Sequence, residues 1–135
     1  VKRTTPLRGT TPLARSRAKR MRPLRRPAMD RSLRHQVYVR AVGRCEFCGV
    51  PLPGDAWDAH HRQLRSRGGP DSLPNLVALC RTHHRWVHEH PAAATAVGFM
   101  VPSWADPDTT PLHLHGRRWV LPGERYTLTD APKGA

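Results

Sequence analysis

A chain of 135 residues that is 38% hydrophobic and carries fourteen prolines and ten glycines has room for one small-cored domain and little more. No apolar run nears the roughly 20 residues that a bilayer-spanning helix needs, and the odd count of three cysteines speaks against a closed disulfide framework. The net charge of +13 is lopsided: residues 1–44 hold fourteen Lys and Arg against one acid, Asp30, whereas 45–135 hold nine of each sign. A neutral domain behind a cationic leader implies a polyanionic partner, nucleic acid first among them.

Residues 1–28 alternate Arg and Lys with Pro, Thr, Ser and Gly and repeat Thr-Thr-Pro-Leu at 4–7 and 10–13. Such a segment buries too little to offset its ordering entropy, so it reads as a disordered basic arm that neutralises phosphates. It lacks the apolar core of a signal peptide, and reduced cysteines suit a soluble, cytoplasmic protein. The remaining 29–135 read as one domain, with a core motif over 45–90 and a β extension over 98–128.

Asp30 can cap a helix running to about Val42 and stopped by Gly43, with Leu33, Val37 and Ala41 on its apolar face and Arg31, Arg34 and Arg40 away from it. Cys45 and Cys48 sit on a tight turn that Gly49 reverses. Trp57 to His61 reads as a short strand, 62–75 as a basic, Gly-rich loop, and Leu76 to Cys80 as a second strand. Thr82 to Glu89 reads as a helix stopped by Pro91, which itself starts a short helix over Ala92 to Val97. Beyond it, Phe99-Met-Val, Leu112 to His115, Arg118 to Leu121 and Tyr126-Thr-Leu read as strands, with Trp104, Trp119 and Tyr126 as their core. His113 and His115 read as exposed polar residues.

All three cysteines and five of the nine histidines fall between Cys45 and His88. A small core needs a staple, and tetrahedral zinc wants four soft or borderline ligands. Cys45-x2-Cys48 and Cys80-x2-His83 supply two pairs of equal spacing. A DNA-binding finger with two Cys and two His fails, because no His lies within 62–82 to follow His61 at the required interval. His60, His61, His84 and His88 are then left beside Asn75. Phosphodiester hydrolysis needs a general base, an orienting group and a metal, and neighbours on a strand point to opposite sides, so one of His60 and His61 can ligate while the other faces water.

The order Cys-x2-Cys, His60-His61-Arg62, Gly68-Gly69, Asn75-Leu76, Leu79-Cys80-x2-His83-His84 resembles the HNH endonucleases of the ββα-metal (His-Me finger) fold, most closely the zinc-containing subgroup of bacteriophages and actinobacteria. The resemblance covers about residues 30–128. It implies an α+β fold with a ββα-metal nuclease core stapled by a structural zinc site, followed by short C-terminal strands. It implies His61 as general base, Asn75 as the residue orienting it, and His60 and His84 as ligands of a catalytic divalent ion, with His88 a further candidate. Cys45, Cys48, Cys80 and His83 are implied as the structural zinc site, with the roles of His83 and His84 open to exchange.

Two positions depart from the family pattern: His83 stands where Cys is usual, and His60 where many relatives have Asp. Imidazole in place of carboxylate points to Mn²⁺, Ni²⁺, Co²⁺ or Zn²⁺ over Mg²⁺. Arg62, Arg65, Arg67 and Arg85 are placed for DNA contact. The expected activity is metal-dependent hydrolysis of double-stranded DNA, with phage terminase a partner by family analogy and no membrane. The alternative is a zinc-stapled nucleic-acid-binding module without catalysis.

Overall fold

The computed structural model describes residues 26–134; the expected basic arm lies outside the described residues except for 26–28. Among the described residues three helices, α1 (Arg31–Arg40), α2 (Arg81–Glu89) and α3 (Pro91–Ala96), combine with five strands, β1 (Trp57–His61), β2 (Leu76–Cys80), β3 (Leu112–Leu114), β4 (Arg118–Pro122) and β5 (Tyr126–Leu128). None of these helices is long and apolar enough to cross a membrane.

The centre is an antiparallel hairpin of β1 and β2, with His60 opposite Val77 and His61 opposite Leu76. β2 runs without a linker into α2, which completes a ββα unit. Leu76, Val77, Ala78 and Leu79 are all fully buried, so β2 has no solvent face and its apolar run anchors the unit. Each large aliphatic side chain buried there contributes about 1.5–3 kcal/mol. β3, β4 and β5 form a separate three-stranded antiparallel sheet.

Helix α1 starts where Asp30 Oδ1 accepts the Ser32 N–H at 2.9 Å. It buries Val37 and Ala41 against the core, while the Arg34 guanidinium lies 3.9 Å over the Trp57 ring and donates to Trp57 O. The helix ends at Arg40 rather than Val42, because Val42 and Gly43 both take positive φ and turn the chain toward the cysteines. Arg40 is not on the outer face. It is buried, paired with Glu46 at 2.8 Å, and donates to the carbonyls of Leu73, Leu76 and Gly123. The Tyr126 hydroxyl donates to Glu46, as does the Ala78 N–H. One buried ion pair thereby joins α1, the cysteine turn, β2 and the C-terminal sheet.

Arg62 is the second buried cation and corrects a sequence expectation. Placed beside the strand end for phosphate contact, it is instead fully buried, and its guanidinium donates to five carbonyls, those of Gly98, Pro74, Pro107, Thr110 and Pro111. Burial lowers its pKa to about 9. Its backbone N–H donates to Asn75 O and its carbonyl accepts from Val101. Arg62 thus ties the end of β1 to the long connection between α3 and β3.

That tie also explains why Phe99-Met-Val is not a strand. The Phe99 and Met100 N–H groups both donate to Ala94 O, and the Val101 N–H goes to Arg62, so no donor is left for a ladder. The three side chains are buried nonetheless. Gly98 makes the approach possible, since a Cβ there would meet Pro111 O at 2.0 Å.

Trp104, expected in the core, is 86% exposed. Trp119 stacks on His113 at 4.7 Å, and both are half-buried. His115 is half-buried too. It lies past the end of β3 in a turn at φ 53° and donates its N–H to Glu46 O, so it does not share a strand face with His113.

Replacing Arg62 with Ala orphans several buried carbonyls at once and should lower stability by about 3 kcal/mol or more. The check is a chemical denaturation curve, paired with the salt dependence of DNA binding. An unchanged midpoint with a shallower salt slope would instead make Arg62 a phosphate contact.

Candidate active site and metal centres

The cysteine turn is built by its own backbone. The Gly49 N–H donates to Cys45 O at 2.7 Å with Gly49 at φ 78°, and Cys45 N–H donates to Val50 O. The Glu46 N–H donates to Ala78 O, which sews the turn onto β2 two residues before Cys80. Cys80 ends β2 as the N-cap of α2, and one helical turn later His83 brings Nδ1 to 3.2 Å from its Sγ. The Phe47 ring stacks on His83 at 4.4 Å and fixes its plane.

The ligand atoms of Cys45, Cys48, Cys80 and His83 all lie within 4.8 Å of one another, and none of the cysteines is in a disulfide. Burial pushes the Cys45 thiol up to about 12, a desolvation cost that a bound cation reverses by favouring thiolate. Three thiolates and one imidazole form a donor set of the kind that structural zinc takes. The structure puts His83, not His84, with the cysteines.

His84 turns the other way and joins His60 and His88. Their ring centroids are separated by 5.3, 5.2 and 4.9 Å, and their ligand atoms also fall within 4.8 Å of one another. Two of the three rings are oriented from behind. The buried His60 donates from Nε2 to Phe99 O at 3.0 Å, because a carbonyl can only accept, and this leaves the Nδ1 lone pair free. His84 Nδ1 meets Asp58 Oδ2 at 3.1 Å, which leaves Nε2 to face His88 Nε2 at 3.2 Å. Burial, with His84 beside it, drives the pKa of His60 down to about 3, and burial and His84 lower His88 as well. Neutral imidazoles are the form that binds a metal.

His61 follows His60 at the end of β1 and is 13% exposed. Its Nε2 lies 2.7 Å from Asp71 Oδ1, and Asp71 Oδ2 accepts from Arg65 at 2.7 Å. Hydrogen bonds from His61, and then from Arg65, hold the Asp71 carboxyl below the usual carboxylate range. His60, His61, His84, His88, Leu64 and Arg65 line one open cavity of about 310 Å³. A larger hollow of about 720 Å³ lies between α1 and Trp57, but it holds no grouped metal ligands. The grouped imidazoles, and not the volume, mark the smaller cavity as the candidate site.

Asn75 is not where the family pattern suggested. It is fully buried; its Oδ1 accepts the Gln63 N–H at 2.6 Å, and its Nδ2 donates to Gln63 O and Pro70 O. None of these bonds reaches His61. Asn75 closes the 62–75 loop on itself, and the side chain that meets His61 comes from that loop. Among the arginines expected at DNA, Arg65 lines the cavity, while Arg67 and Arg85 are exposed.

Asp58 and Asp71 are the residues that sequence reasoning missed. The two-residue period of β1 puts Asp58 on the face of His60 and was a usable signal. Nothing periodic marks Asp71.

Two separate ligand sets predict two pools of bound metal. Cys80→Ala should abolish the chelator-resistant pool and lower the thermal midpoint. His84→Ala should remove only weakly held metal and leave the midpoint near the parent's. Metal content after dialysis with and without chelator, read beside thermal melts, separates them.

Residues 45–90 match the family model described as HNH endonuclease. No curated protein matches the chain. The matched segment opens on Cys45 and ends just past α2, so it contains both ligand sets together with His61, Asp71 and Asn75. By this match, and by its ββα unit with a Cys3His cluster, the stretch 45–90 is similar to HNH endonuclease domains, which supports a nuclease-type function with nucleic-acid binding.

Proposed function

We propose that the protein is a metal-dependent DNA endonuclease acting on double-stranded DNA, with His61 as general base. The observation that carries this reading is the sharing of one open cavity by His61 and the His60, His84 and His88 cluster, with Arg65 at its edge.

The roles follow from the orientation of each ring. His61 is held at Nε2 by Asp71, so Nδ1 is the atom that can take a proton from water as it attacks phosphorus. His60, His84 and His88 would hold the divalent ion. When bound, the ion supplies charge stabilisation at the scissile phosphate and at the departing 3′ oxygen. Arg65 places positive charge at the cavity that would receive the phosphate, and the exposed Arg67 and Arg85 are available to neighbouring phosphates of the strand. Water adds to phosphorus as the bond to the 3′ oxygen breaks, and the departing oxygen takes a proton from solvent, leaving a 5′-phosphate and a 3′-hydroxyl. Cys45, Cys48, Cys80 and His83 would hold zinc and keep β2 and α2 in register with the cysteine turn. An all-imidazole donor set favours Mn²⁺, Co²⁺, Ni²⁺ or Zn²⁺ over Mg²⁺.

Supercoiled plasmid incubated with the protein and each divalent ion in turn should be nicked or cut, fastest with the borderline ions. His61→Ala should slow cleavage by about 100-fold or more while DNA binding persists. Binding without nicking under every metal would leave a zinc-stapled nucleic-acid-binding module in place of a nuclease. Activity with Mg²⁺ alone would overturn the metal preference.

A further inference from the structure

We propose that Asp71 is the positioning residue for His61, fixing the ring in the tautomer that carries its proton on Nε2 and presents the Nδ1 lone pair to water. This deepens the nuclease reading and rests on it.

The argument begins with the loop between β1 and β2. Its backbone is closed tightly: the Gly69 N–H donates to Leu64 O, and Asn75 clamps Gln63 through both its N–H and its carbonyl while also holding Pro70 O. A Cβ on Gly69 would sit 1.8 Å from Gln63 O, so only glycine fits that closure. The closed loop returns Asp71, ten residues after His61, to 2.7 Å from its ring nitrogen. Arg65, on a 3₁₀ turn of the same loop, grips the other carboxylate oxygen. The orienting task expected of Asn75 is therefore carried out at one remove: Asn75 shapes the loop, and Asp71 makes the contact.

The ion pair with Arg65 also fixes the direction of the hydrogen bond. A guanidinium only donates, so the atom facing Arg65 must be an acceptor. In Asp71 both oxygens accept, and His61 must donate from Nε2. In Asp71→Asn the amide oxygen turns to Arg65, and the amide nitrogen is left facing His61. Nε2 must then accept, the proton moves to Nδ1, and the lone pair needed for water is lost. A residue that merely filled space would not discriminate between Asp and Asn, which have nearly the same shape.

The test uses the full chain labelled with ¹⁵N-histidine, at about pH 8 so that exposed imidazoles are neutral. His61 signals are assigned by difference from His61→Gln. The expected result is an Nε2–H tautomer for His61 in the parent, converted to Nδ1–H in Asp71→Asn. Alongside it, kcat for plasmid cleavage should fall by on the order of 100-fold with KM for DNA unchanged. An Nδ1–H tautomer in the parent, or Asp71→Asn with the parent's tautomer and kcat, would overturn the assignment. Asp71 is on the surface and its substitution should spare the fold, but the parent spectrum alone decides the orientation if it does not. Should the parent cleave nothing under any metal, the nuclease reading falls while the spectrum still judges the Asp71 contact.

Discussion

Among the described residues two guanidinium groups are withdrawn from water beside a small apolar core, and the arrangement around them follows from how they are satisfied. Arg62 reaches five carbonyls on three separate segments, and Arg40 reaches one carboxylate and three carbonyls on four. A buried charge left short of partners costs several kcal/mol, so each segment must arrive in place for the others to be tolerable. Arg62 directly follows the His60-His61 pair. The bonds that bury it fix the strand end from which both histidines project and bring Phe99 O within reach of His60.

Helix α2 does a different job with equal economy. Consecutive residues on a helix point about a quarter-turn apart, so His83 and His84 serve two different clusters without any break in the chain. His83 closes the Cys3His set at the start of the helix, and His84 with His88 one turn later faces β1. The staple and the chemistry share a rigid element, so a metal held by the cysteines would also set the distance of His84 and His88 from His60 and His61.

The loop between β1 and β2 shows how a short, irregular segment acquires a defined shape. It contains two 3₁₀ turns, a left-handed Gly68 and the Gly69 approach, closed by backbone bonds to Leu64 and Arg65 and by the buried amide of Asn75 on Gln63 and Pro70. The loop carries Asp71 and Arg65 to His61 at the surface.

The ββα order and the grouping of Cys45, Cys48, Cys80 and His83 were legible in the sequence, because ligand spacing and strand and helix periods are local properties of a chain; His60, His61, His84 and His88 were singled out by the family resemblance. The N-cap at Asp30 and the reversal at Gly49 were legible for the same reason. The roles of Arg40, Arg62, Asp71, Asn75 and Trp104 were not. An arginine next to a His-His pair reads as a phosphate contact unless one knows that five carbonyls from Pro74 to Pro111 converge on it, and a tryptophan reads as core until its loop is seen to end in solvent. Asp71 meets His61 only because the 62–75 loop closes on itself. Composition and spacing determined which metal-binding residues this chain offers; only the tertiary structure decided which polar side chains are spent on burial and which stay at the surface, since hydrogen-bond partners distant in sequence are chosen by folding.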